Sequence, residues 1–142
     1  MLDKKLSISK KDIRATEKHP TESLEAYNLI QQGYELLTDH KTSDERMVQK
    51  IIPLAEKAIT LDSTYADPWA ILALSNVIKD DSLTTEILKN YNEGILLAEK
   101  ALLYNSNHEL AMALSLIIPL LKMEKEDSFD LFLLRKLAIQ MD

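Results

Sequence analysis

The chain has 142 residues, a formal net charge of −6, 46% hydrophobic residues, and only two glycines and four prolines. That length suits one domain with one core, and the shortage of turn residues argues against a β-rich fold and for a mostly helical one. The absence of cysteine excludes a disulfide framework or a thiolate metal site and leans toward a cytoplasmic protein.

The charge is uneven. Residues 1–20 carry Lys4, Lys5, Lys10, Lys11, Arg14 and Lys18 against Asp3, Asp12 and Glu17. The rest of the chain is strongly acidic, which disfavours nucleic-acid phosphates as a partner. The basic start reads as a solvated connector, residues 1–22, ahead of a helical domain over 23–142. The longest apolar stretch, Ala111 to Leu121, contains Ser115 and Pro119. It is far short of the roughly 20 residues a membrane span needs, so no membrane insertion is expected.

In chain order, Leu2 to Lys18 is weakly amphipathic and ends at His19-Pro20. Thr21 or Ser23 then caps a helix over Leu24–Leu37. A polar loop follows, then a helix over Arg46–Thr60 with Pro53 inside it, where a bend or a late start is expected. A third helix is predicted over Ala66–Lys79. A fourth covers Leu83–Tyr104, with Gly94 at a close helix crossing. The fifth is predicted over Glu109–Lys122. A sixth, Phe129–Met141, is capped by Asp127-Ser128.

One pentapeptide occurs twice: LAEKA spans Leu54–Ala58 and again Leu97–Ala101. Each copy is followed by a polar turn and a new apolar run, so an internal repeat is indicated. In the first copy Leu54, Ala55, Ala58, Ile59 and Leu61 form one helical stripe. Asp62, Ser63 and Thr64 supply cap chemistry for the next helix. Pro68 falls in that helix's first turn, where its missing N–H costs nothing. Trp69, Leu72, Ala73 and Asn76 share a face. Alanines at a crossing with one aromatic filling the gap describe an antiparallel helix pair. Trp69 reads as packing, and its loss should cost roughly 3–5 kcal/mol.

These residues resemble the tetratricopeptide repeat (TPR) family: Ala58 closing a second helix, the turn Leu61 to Ala66, then Trp69 and Ala73. Gly33 with Leu29 and Leu36 resembles the opening first helix. Ser63 stands where the family usually has Pro. The interval between the copies exceeds the family's roughly 34 residues, and Met112 and Leu116 depart from the family's aromatic and small residue. The resemblance implies an all-α fold, a right-handed superhelical array of about three antiparallel helix pairs. The lead-in, Leu6 to Tyr27, resembles the segment that introduces such repeats in bacterial signalling proteins built around an adenylate cyclase or a winged-helix regulator.

The resemblance also implies a function: a protein-interaction scaffold whose concave groove grips an extended peptide. Carried over by position, the groove comprises Tyr27, Ile30 and Tyr34, then Asp67, Ala70, Leu74 and Val77, then Leu110, Ala113 and Ile117. Family members that hold acidic chaperone tails use Lys, Arg and Asn at the groove. The residues here are mostly apolar, so no carboxylate clamp forms, and an apolar peptide or a neighbouring domain is the expected partner.

Nothing in the chain points to an enzyme, a metal or a cofactor. His19, His40 and His108 lie far apart in predicted loops, and neither glycine belongs to a phosphate-binding loop. Acidic clusters at Asp39 to Glu45, Asp80-Asp81 and Glu124 to Asp127 read as solvated loops. The predicted last helix has two apolar stripes, one of them Leu131, Leu134, Ala138 and Met141. A terminal repeat normally needs a polar outer face, so the alternative function is homo-oligomerisation through that stripe.

Overall fold

The structure is a computed structural model that describes residues 20–39, 41–79 and 84–141, with Thr84 and Met141 as backbone only. The described residues form helices and turns with no strand. The described residues contain five helices: α1 (Leu24–Leu37), α2 (Asp44–Leu61), α3 (Ala66–Ile78), α4 (Thr84–Tyr104) and α5 (Glu109–Met141). Nearly all of the basic connector, together with His19, His40, Asp80 and Asp81, lies outside the described residues.

Local chemistry sets where each helix begins. The Ser23 hydroxyl accepts from the Ala26 N–H at 3.1 Å, satisfying one of the donors a helix start leaves free. Ser43 does the same for α2 through Arg46 N–H. Asp44 and Glu45 then fall in the first turn, where negative charge suits the helix dipole. This cap starts α2 two residues earlier than the sequence predicted. Pro53 sits inside the helix and delays nothing. Its ring is on the solvent side, where water can reach the carbonyl it leaves unpaired.

Each helix buries one stripe. Ala26, Ile30 and Gly33 of α1 face Met47, Ile51, Ala55 and Ala58 of α2, with Tyr65 and Ile71 closing the cluster from the α3 side. A second cluster joins Ala73, Tyr91, Ala98, Leu114 and Ile118. In a third, four alanines meet where three helices cross: Ala66 and Ala70 of α3, Ala101 of α4 and Ala111 of α5. Alanine lets helix backbones approach closely, and Trp69, Leu102 and Tyr104 fill the periphery.

Successive helices pack against one another, α1 also touches α3, and α3 also touches α5. Among the described residues α2 and α4 do not meet. Two contacts fix the directions. Lys57, late in α2, pairs with Glu25 at the start of α1. Trp69, early in α3, lies 6.3 Å from the Tyr104 ring at the end of α4. Neighbouring helices are therefore antiparallel, with the odd-numbered helices in one row.

The duplicated pentapeptide occupies matching surroundings. Ala55, Ala58, Ala98 and Ala101 are all closed to solvent, while Glu56, Lys57, Glu99 and Lys100 are exposed. The turns after the two copies also match. Asp62 N–H donates to Ala58 O and Asn105 N–H to Ala101 O, both at 2.9 Å. Asp62 Oδ1 then accepts from Thr64 N–H, as Asn105 Oδ1 accepts from Asn107 N–H. The side chains expected to cap α3 are thus spent inside the turn, and Tyr65 is the N-cap with no side-chain bond of its own.

The largest departure from expectation is at the C-terminus. The predicted fifth and sixth helices are one continuous helix, α5, of 33 residues. The array is therefore two helix pairs and a long single helix, not three pairs. The segment expected to break it, Met123 to Ser128, contains no glycine or proline and is rich in Glu and Lys, which favour helix. Lys122 and Glu126 add an ion pair one turn apart at 3.7 Å. Ser128 does not cap; its hydroxyl donates back to Glu124 O at 2.9 Å, a bond compatible with uninterrupted helix.

Candidate partner-binding groove

The predicted groove residues all lie on the row formed by α1, α3 and α5, but they do not all face solvent. Tyr27 is 40% exposed and Ile117 is 48% exposed. Ala113 is also exposed, and Tyr34, Asp67, Leu74, Val77 and Leu110 are half-buried. Ile30 and Ala70 are fully closed to solvent and belong to the core. Ile30 wedges between α1 and α2 in the first cluster, and Ala70 lies among the alanines of the third. Neither can touch a ligand, because the helical face that points along the row also turns inward at those two positions.

Gly33 helps bring the row together. A Cβ at this position would lie 3.6 Å from Ile71 Cδ1, so α1 and α3 are close there. Gly94 is tighter. A Cβ on it would meet Ile118 Cδ1 at 3.2 Å, Ala73 O at 3.4 Å and Asn76 Cβ at 3.6 Å. The predicted close crossing at Gly94 is therefore present, with α4 seated between α3 and α5. Asn76, buried at this interface, donates from Nδ2 to Leu72 O at 2.9 Å and accepts from Lys79 Nζ at 3.3 Å.

A polar line crosses the row at one end. Asp67, in the first turn of α3, pairs through Oδ1 with His108 Nε2 at the start of α5. His108 Nδ1 accepts from Ala111 N–H at 3.2 Å, so one imidazole caps α5 and ties it to α3. Burial pushes the Tyr34 hydroxyl pKa well above its ordinary value, and the nearby Asp67 charge pushes it further. Tyr65 is raised for the same two reasons, with Tyr34 and Tyr27 adding to them. Both tyrosines therefore stay neutral and keep their hydroxyl protons beside a carboxylate. The buried Tyr65 hydroxyl has no hydrogen-bond partner among the described residues.

Trp69 stands on the side of α3 that meets α4. Its Nε1 donates to Ser63 O at 3.0 Å, and Lys100 Nζ lies 5.4 Å from its ring and 5.6 Å from the Tyr104 ring. The indole thus seals the junction between the first turn and α4, partly open to solvent.

Comparison with protein-family models, curated proteins and solved structures found no match. The site rests on its own geometry. Among the described residues no group of three or more His, Cys, Asp or Glu is placed to hold a metal ion. Within the same residues no helix is long and apolar enough to cross a membrane. The four residues of the predicted oligomer stripe, Leu131, Leu134, Ala138 and Met141, are on the far half of α5. Leu131, Leu134 and Ala138 are exposed there.

Sequence reasoning missed two members of the site. The sequence places Tyr65 in a turn and His108 in a loop far from the other histidines. The signal for His108 was its position: it stands just before the helix beginning at Glu109, where a side-chain acceptor is favoured. Its pairing with Asp67 joins residues 41 apart, a distance that spacing within one helix cannot reveal.

Proposed function

We propose that this chain is a TPR-like helical-repeat module that binds a protein or peptide partner along the row of α1, α3 and α5. The observation that carries the reading is the row itself. The odd helices touch in succession, and Tyr27, Ala113 and Ile117 remain open along it. Aromatic and aliphatic side chains of this kind favour an extended peptide with apolar or aromatic anchors. Asp67 gives the row a carboxylate and none of the ten groove positions carries a lysine or arginine, which argues against a clamp for acidic peptide tails. Together with the resemblance of the lead-in, this supports a regulatory, non-enzymatic role within or alongside a bacterial signalling protein.

The test is selection from a displayed library of short peptides, followed by calorimetry on the winners. Enrichment of aromatic or aliphatic motifs, with binding lost in Tyr27→Ala and Ile117→Asp variants that keep their helical circular dichroism, is the expected result. Enrichment of acidic C-terminal tails, or no enrichment at all, would overturn it.

A further inference from the structure

Among the described residues nothing covers the far half of α5. From Met123 to Gln140 every side chain except Phe129 is exposed, a stretch of helix about 27 Å long at 1.5 Å per residue. The near half is anchored through Ala111, Leu114 and Ile118, but the helix continues past that body.

Its exposed surface is apolar in a particular order. From Met123 the steps of three and four run through Leu131, Leu134, Ala138 and Met141, with Asp127 filling the one intervening place. Met123 is 59% exposed, Leu131 54% and Leu134 64%. Steps of three and four are the seam spacing of paired helices. Phe132, Leu133, Leu137 and Ile139 are also exposed, on other sides of the same segment. A helix apolar on so many sides is stable in water only when another surface covers it.

Charge selects the occupant. The turns before the stripe's centre hold Glu124, Glu126, Asp127 and Asp130 against the single Lys125. The turns after it hold Arg135 and Lys136, with no acidic residue from Leu131 to Met141. A second copy of this segment laid parallel would set acid on acid and base on base. Laid antiparallel, it sets the acidic half of each on the basic half of the other, twice over by two-fold symmetry. The helix dipoles then also oppose. Centred between Leu131 and Leu134, this arrangement brings each helix tip beside the partner's Glu124 level, close to where α5 leaves its own body.

We propose that this chain forms a homodimer through antiparallel pairing of the C-terminal halves of α5. The dimer rests on the far half of α5 and not on the peptide-binding reading of the helix row.

Sedimentation velocity on the full chain over micromolar concentrations tests the assembly. A species of twice the 16.2 kDa chain mass is expected, and Leu131→Glu with Leu134→Glu should abolish it while the chain keeps a cooperative thermal unfolding transition. Arg135→Glu with Lys136→Glu should raise the dimer dissociation constant about tenfold. Adding Asp127→Lys and Asp130→Lys to that variant should restore it. Orientation is read with spin labels on Gln140→Cys, since the chain has no cysteine of its own. Antiparallel pairing separates the two labels by about 22 Å along the axis, whereas parallel pairing puts them side by side. A monomer at every concentration, a dimer that survives the double Glu substitution, or side-by-side labels would overturn the proposal.

Discussion

Asp67 and His108 connect two helices that are not neighbours in the chain. Asp67 Oδ1 meets His108 Nε2, while His108 Nδ1 accepts from the Ala111 N–H that opens α5. Because Nδ1 is an acceptor, the ring proton sits on Nε2 and is donated to the carboxylate. One side chain therefore both caps a helix and sets the spacing between α3 and α5.

The first prediction concerns this pair. His108→Ala removes a helix cap and leaves the Asp67 carboxylate half-buried without its donor. Each loss is worth about 1 kcal/mol or more, so a destabilisation of about 2–3 kcal/mol is expected in urea unfolding. Asp67→Asn keeps an acceptor for Nε2–H and should cost about 1 kcal/mol. Nitrogen NMR of the imidazole should show the Nε2–H tautomer in the native protein. A His108→Ala variant with an unchanged midpoint would show that the two helices are held apart from this contact.

The two glycines should respond oppositely to added bulk. Neither has a positive φ, so neither is required for backbone reasons. At Gly33 a new Cβ meets only Ile71 Cδ1, at an ordinary 3.6 Å. Gly33→Ala should therefore stabilise by about 0.5–1 kcal/mol through helix propensity. At Gly94 the new atom is hemmed in by Ile118, the Ala73 carbonyl and Asn76. Ile118 Cδ1 can swing aside for one methyl, so Gly94→Ala should be near neutral. Gly94→Val cannot be accommodated that way and should cost about 1–3 kcal/mol. Thermal melts of the three variants give the comparison directly.

The Thr21–Asp62 bond gives the acid limb of the stability curve. The Thr21 hydroxyl donates to Asp62 Oδ2 at 2.6 Å and accepts from Ser23 N–H at 3.1 Å. It thereby ties the entry to α1 to the turn between α2 and α3. That hydroxyl is the leading reason the Asp62 pKa is held below the usual carboxylate range, with Thr64 adding to it and burial opposing it. The folded chain then holds the ionised form more strongly than the unfolded chain does. The resulting stabilisation is complete above the unfolded carboxylate pKa, near 3.9, and disappears as pH falls through the lower folded value. Thr21→Val should return the Asp62 titration toward the ordinary value in carboxyl-carbon NMR and flatten the stability loss in that acid window. At neutral pH it should cost about 1 kcal/mol. An Asp62 titration unmoved by the substitution would show that Thr64 alone holds it.

Much of the helical frame can be read from residue order, because it follows from local rules. Ser23 starts α1, apolar residues recur at steps of three and four, and Ala55, Ala58, Ala98 and Ala101 mark the crossings in both copies of the pentapeptide; the Ser43 cap, by contrast, is hidden in what reads as a polar loop. The end of the chain could not be read the same way. Asp127-Ser128 has the composition of a cap, but the neighbouring Glu and Lys residues favour continued helix. Ser128 bonds backward to Glu124, so the local preference goes the other way. The site divides along the same line. Tyr27 and Ile117 fall on the predicted face and stay open, whereas Ile30 and Ala70 share that face by spacing yet are buried, since spacing gives direction and not the depth of the neighbour. Tyr65 and His108 depend on contacts between distant helices, which no window of adjacent residues contains.

Trp69 offers the sharpest separation of packing from function. The indole is half-buried, donates to Ser63 O at 3.0 Å and lies beside Tyr104 beneath Lys100. Full-core loss of Trp costs about 3–5 kcal/mol, but part of this ring already faces water, so Trp69→Ala should cost about 2–3 kcal/mol. Trp69→Phe keeps the ring against Tyr104 and loses the indole N–H, and should cost about 1 kcal/mol. Lys100→Met tests the cation over the ring: it should change stability by about 0.5 kcal/mol and alter the salt dependence of the indole fluorescence. The indole faces α4 and not the row of α1, α3 and α5, so none of the three substitutions should weaken binding of a groove peptide under conditions where the variant is fully folded. A Trp69→Phe variant that folds normally and yet loses peptide binding would move the binding surface to the α3–α4 side.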